Sequence, residues 1–323
     1  MATGNRGLGP RLRGVCIVTA ERATSRQRGA LPSAIALGAA VALIAGALVV
    51  ALLAGRNDDT ASPTADSAAP AIVHVHGLGV NPADGSVIVA THTGSFRLAA
   101  GDGEPERIGD SFRDTMGFTV AGPDHFLGSG HPDVAGLQAG DPTSLGLIES
   151  TDGGWTWEIR SLGGEVDFHG LAFAHDRVYG WDSSTGRFMV SADKREWDTR
   201  GTLDLFAFAV SPDDPDRIVG TGPDGLVQST DGGRNWEDAE GPPTVALSWD
   251  AEAGLWGVAD DGAVWRREGT EWERTGDVPG QPHAFVATAD RLYAAAADPD
   301  GRTTIYESPD GRTWDLRYRD PAQ

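Results

Sequence analysis

The chain has 323 residues, with 26 basic and 47 acidic side chains, a net charge of −21 and a single cysteine. So acidic a surface repels phosphate backbones and argues against nucleic acid as a partner. One cysteine, Cys16, rules out an intramolecular disulfide, so any metal centre further along must use His, Asp or Glu. Glycine (44) and tryptophan (10) are plentiful while methionine (3) is scarce, which suits many short strands joined by tight turns.

The charge is uneven along the chain. Residues 1–56 hold seven arginines against one acid, Glu21, which leaves 19 basic and 46 acidic residues for the rest. Residues 1–30 read as a basic cytoplasmic tail. Residues 31–55 are apolar and uncharged, long enough at 1.5 Å per residue to span a bilayer as one helix. Arginines before this segment and Asp58 and Asp59 after it put the N-terminus in the cytoplasm and the remainder outside. The segment exceeds the usual apolar core of a cleaved signal peptide. Arg56 stands where a lipid-modified cysteine would follow Leu53-Ala54-Gly55. An uncleaved anchor is therefore expected, followed by a polar, Ala/Ser/Pro-rich linker over 56–70.

Residues 71–320 repeat. Ser150-Thr151-Asp152-Gly153-Gly154-Trp155-Thr156-Trp157 has close counterparts at 229–236 and 308–314 and a degenerate one at 191–197. In such a segment the Asp carboxylate accepts turn amides, Gly supplies a positive φ, and Trp opens the next strand facing inward. These positions are explained by a hairpin tip and are assigned no catalytic role. A second repeat alternates bulky and slim residues from His76, Met116, His169, Phe206, Val245 and His283, at steps of 40, 53, 37, 39 and 38. Period-two alternation predicts strands, and a period near 40 is that of a four-stranded propeller blade. The fold predicted is all-β: a six-bladed β-propeller over 71–320, preceded by one transmembrane helix. The long second step predicts an insertion around 131–144. No helical periodicity of useful length follows residue 70.

First strands begin on the face where second strands end, and the loops there surround the channel. That face collects His76, His169 and His283, with His74, Asp114 and Asp167 two residues before first-strand openers. The second-strand ends add His92, His131 and Asp182. Six of the eight histidines thus map to one rim, while His125 and His175 fall elsewhere.

The Ser-x-Asp-x-Gly-x-Thr-Trp segments resemble the Asp-box, or bacterial neuraminidase repeat, of sialidase-type propellers. The strings HVHGLGV (74–80), VATHTGSF (89–96), RDTMGFTV (113–120), GSGHPD (128–133), GLIESTDGG (146–154) and DFHGLAF (167–173) resemble small actinobacterial exported proteins labelled glycosylhydrolase or exo-alpha-sialidase-like. That resemblance implies a glycoside hydrolase acting on a glycan. Arg113 and Asp114 would supply one substrate-clamping arginine and an acid, with Asp167 and Asp182 as further acid/base candidates. The other arginines of a sialidase triad and its Tyr/Glu nucleophile are not evident. Two further readings stand beside it. One is a binding propeller that holds a small polar ligand on His74, His76, His92, His131, His169 and His283. Its divalent metal would sit on His76, His92, His131 and His169. The other is a monomeric scaffold for protein partners.

Overall fold

The computed structural model describes residues 72–101 and 103–321. The predicted tail and membrane segment, and the linker after it, lie outside these residues. Among the described residues no helix is long and apolar enough to cross a membrane.

Six four-stranded antiparallel sheets follow one another, each built from four consecutive strands. Blade one is β1 (Val75–Val80), β2 (Val87–Thr91), β3 (Gly94–Leu98) and β4 (Glu106–Arg107). Blade two is β5 (Asp114–Gly122), β6 (His125–His131), β7 (Leu147–Ser150) and β8 (Glu158–Ser161). Blade three comprises β9 (Phe168–Ala174), β10 (Arg177–Asp182), β11 (Arg187–Ser191) and β12 (Asp198–Thr202). Blades four to six run from β13 (Ala207–Val210) through β17 (Thr244–Asp250) and β21 (Gln281–Ala287) to β24 (Asp315–Arg319). Each first strand packs on the first strand of the next blade, and β21 returns to β1, which closes the ring. The Ile72 amide donates to Asp320 Oδ1 at 3.0 Å and fastens the two ends of the propeller together.

The core is divided among the gaps between blades, because each sheet has two apolar faces to cover. Phe118 and Phe126 fill the gap between blades one and two with Ile88 and Ile108. Tyr179, Phe188 and Phe208 fill that between blades three and four. Slim residues let the first strands approach one another: a Cβ on Gly117 would strike the Phe168 carbonyl oxygen. Along the axis this leaves a channel of about 720 Å³.

The hairpin tips have the local geometry expected of their residues. Asp152 Oδ1 accepts from the Thr156 amide (2.9 Å) and the Ser150 hydroxyl (2.8 Å), and Trp157 Nε1 donates to the Gly154 carbonyl (3.0 Å). The same bonds recur with Asp231, Asn235 and Trp236. Hydrogen bonds from the turn hold the Asp231 carboxyl down at about 2. Asp152→Ala removes three charge-assisted bonds at an exposed tip, from the Ser150 hydroxyl and from the amide and hydroxyl of Thr156. It is expected to cost about 1–2 kcal/mol by urea denaturation with the channel-mouth chemistry unchanged.

The structure adds one detail here and corrects one expectation. The blade-two insertion contains one helical turn, α1 (Val134–Ala139), capped by Asp133 and ended by Gly140 at φ 96°. Six residues are too few to show helical periodicity in a sequence. The first strands also do not alternate strictly. Register shifts separate Val75 from Gly77, Thr115 from Gly117, Thr244 from Ala246 and Pro282 from Ala284, and another lies opposite Trp181 and Asp182. His76, Met116, Val245, His283 and His169 are therefore bulge residues, each freed from the ladder at the same level of its blade.

Candidate functional site

The bulges direct side chains toward the mouth of the channel, which is lined there by His76, His169, Phe206, Val245 and His283. His92 lies one residue beyond β2. Its amide is held by the carbonyls of Val73 (3.3 Å) and His74 (3.1 Å), and His74 adopts φ 49° to present that carbonyl. A non-glycine residue in this region carries backbone strain, which is common where a site is being shaped.

Two clusters form, each centred on one aspartate. In the first, His76 Nε2 lies 3.4 Å from Asp114 Oδ1 and His92 Nδ1 lies 2.9 Å from Asp114 Oδ2. Nitrogen and oxygen atoms of these three residues all lie within 4.8 Å of one another. His76 Nε2 and Asp114 Oδ1 are both closed to solvent and have no hydrogen-bond partner. Ligands of a tetrahedral ion at about 2.0–2.1 Å lie about 3.3 Å apart, so the pair is spaced as two ligands of one ion. Two imidazoles and a carboxylate on one side of an ion, with its other positions open, suit Zn(II) or Fe(II). His74 and His283 stand behind, their rings stacked at 6.2 Å, with His74 6.4 Å from the His92 ring. Although the edge of His283 reaches solvent, the protein around it pushes its pKa down, helped by the nearby His74 and His76. This favours the neutral imidazole, which has a lone pair to donate.

In the second cluster, Asp167 Oδ2 faces His169 Nε2 at 3.0 Å and His131 Nε2 at 3.6 Å. Burial would raise the Asp167 carboxyl, but its bond to His169 and the charges of His169 and His131 outweigh this and hold it ionised. His131 ends β6 and pairs across the ladder with Asp114, so the two clusters share one strand pair.

Two candidate residues belong elsewhere. Asp182 is 0% exposed. It accepts from the Asp167 and Ser184 amides, the Ser184 and Thr185 hydroxyls and the Arg187 guanidinium. Burial alone would raise its pKa, yet these bonds hold it low. Asp182 therefore builds the turn after β10 and is not an open acid or base. Arg113 turns away from the histidines, bonding Ser111 Oγ at 3.0 Å and lying 5.9 Å over the Trp157 ring, near Asp133 and Asp141. Its guanidinium is thus engaged beside Ser111 and Trp157 and not among the mouth histidines. Conversely, the backbone carbonyl of Thr143 holds His131 Nδ1 at 2.8 Å. No side-chain pattern marks a main-chain acceptor, so sequence reasoning had no signal for it.

Neither a family model nor a curated protein matches the sequence. Similarity to solved structures is confined to the fold. The propeller in a nidogen/laminin complex has a TM-score of 0.56 at 13% identity, over 72% of this chain and 93% of that one. A catalytically inactive virginiamycin B lyase from Staphylococcus aureus with quinupristin has 0.51 at 12%, over 77% and 85%. A GH74 xyloglucanase from Xanthomonas campestris has 0.51 at 17%, over 76% of this chain. The chain spans 45% of that xyloglucanase and 38% of an ancestral GH74 enzyme, so it is similar to part of each.

Proposed function

We propose that this protein is a metal-binding propeller. In this reading a single N-terminal helix at 31–55 holds it outside the cytoplasm. A divalent transition-metal ion is bound by His76, His92 and Asp114, with its open positions facing a small polar ligand in the channel mouth. The observation that carries the reading is the pair of buried, unpartnered atoms His76 Nε2 and Asp114 Oδ1 at 3.4 Å, with His92 alongside. Leaving both unsatisfied costs several kcal/mol, on the order of 1–3 for each group, which a cation between them recovers.

The glycoside hydrolase reading rests on the Asp-box-like turns, the exported-family strings and a fold shared with GH74 enzymes. A two-carboxylate mechanism needs one carboxyl held protonated as the acid. Asp167 is held ionised and Asp182 is enclosed, which leaves Asp114 as the acid candidate, and its two oxygens are the ones that His76 and His92 face.

Full-length protein purified in detergent without a histidine tag, stripped with chelator and titrated with Zn(II), is expected to bind it at micromolar or tighter affinity. His76→Ala with His92→Ala is expected to weaken binding at that site by more than about 100-fold. A protein that takes up no metal, or metal-free protein that hydrolyses a fluorogenic glycoside and loses this with Asp114→Asn, would overturn the proposal.

A further inference from the structure

In the second cluster protein groups answer Asp167 Oδ2 and leave its Oδ1 without a partner. The Thr143 carbonyl can only accept, so the 2.8 Å contact requires a proton on His131 Nδ1. In neutral His131 the Nε2 lone pair then points at Asp167 Oδ2, 3.6 Å away, so two acceptors face each other. The other carboxylate oxygen, Oδ1, is closed to solvent and has no partner. All the side-chain contacts of Asp167 fall on Oδ2: His131, His169 at 3.0 Å and Ser183 Oγ at 3.5 Å. A proton on His131 would relieve the opposed acceptors and leave Oδ1 unanswered. A cation chelated by both carboxylate oxygens and bound by the imidazoles answers both.

We infer that Asp167, His131 and His169 form a second divalent-cation position beside the first. This rests on the reading of the first as a metal site, and makes the channel mouth a two-metal centre. The separations of 3.0 and 3.6 Å bracket the spacing of about 3.3 Å between ligands of a tetrahedral ion. The Thr143 bond is the outer contact that commonly fixes the tautomer of a ligating histidine, leaving Nε2 free for the metal. Among the described residues only the first cluster is already closed to within 4.8 Å. Closing the second requires the His131 and His169 rings to turn inward, and both are more than a third exposed. Imidazole and carboxylate donors select Zn(II), Ni(II), Co(II) or Fe(II) over softer ions. Asp114 and His131 are cross-strand partners within blade two, so the two positions would lie side by side at the channel mouth.

The test is zinc stoichiometry, by calorimetric titration of stripped full-length protein and by metal analysis of the reloaded protein. Two equivalents are expected for the unaltered chain. One is expected for His131→Gln with His169→Gln, and one for His76→Gln with His92→Gln. Asp167→Asn keeps the shape of the side chain and is expected to lose the same equivalent as the His131 and His169 pair. Thermal melting identifies any variant that has lost its fold, and for such a variant Asp167→Asn decides. One equivalent in the unaltered chain, or two that survive all substitutions at the second cluster, overturns the second position and leaves the first standing. Zinc bound at neither position overturns both.

Discussion

Glu149→Ala is expected to destabilise the propeller by about 3–5 kcal/mol, the range for breaking a buried ion cluster by removing one member. Glu149 is 6% exposed and pairs with Leu127, toward the His125 end of β6 and away from the channel-mouth end at His131. It accepts from His125 Nε2 at 2.7 Å, from Arg160 Nε and from Lys194 Nζ. Lys194 is the chain's one lysine, and it belongs to the neighbouring blade. It occupies φ 65° in the degenerate hairpin, where the complete repeats place glycine. Blades two and three are thus fastened by a charge that the loss of Glu149 would leave without its partner. Replacing both Glu149 and Lys194 by apolar residues is expected to cost less than replacing Glu149 alone. Chemical denaturation of the three variants checks the order.

The same group predicts an acid dependence. Burial would raise the Glu149 carboxyl, but bonds from Lys194, His125 and Arg160 bring it down to about 2, from an ordinary 4.5. A carboxyl depressed on folding contributes its stability in full above the unfolded value. That contribution is lost as pH falls from about 4.5 toward 2. It amounts to about 3 kcal/mol at about 1.4 kcal/mol per pH unit. The stability difference between the natural protein and Glu149→Gln should therefore shrink through this window. A difference that is flat from pH 6 to pH 2.5 would show that the ion cluster contributes nothing.

Gly130→Ala is expected to cost about 3–4 kcal/mol, combining positive-φ strain with overpacking, and also to weaken the proposed zinc binding. Gly130 has φ 140°. A Cβ there would overlap the Asp114 carbonyl oxygen and crowd the Met116 amide at 2.9 Å. Relieving that overlap must separate β5 from β6 where Asp114 faces His131, which pulls the two clusters apart. Parallel measurements of melting temperature and zinc affinity check the link. Weakened folding with unchanged zinc affinity would mean that Gly130 does not position the site.

How far the sequence reached can be judged from particular residues. The strand Val87–Thr91 was legible to the residue, and the tips around Asp152 and Asp231 were legible in their hydrogen bonds. Both depend on neighbours within a few positions: alternation along one strand, a carboxylate above its own turn, a glycine where φ is positive. The spacing of such elements sufficed for blade number and order. It did not reveal that His76, His169 and His283 stand on bulges, since a bulge depends on how the second strand registers against the first. Nor did it reveal that Asp182 is enclosed by its own turn, that Arg113 faces Trp157, or that Lys194 crosses to a glutamate 45 positions away. In the sequence the rim histidines were one undivided set. Only the tertiary structure divided them between Asp114 and Asp167, because a side chain's partner is set by the approach of neighbouring blades, whose packing is a property of the closed ring.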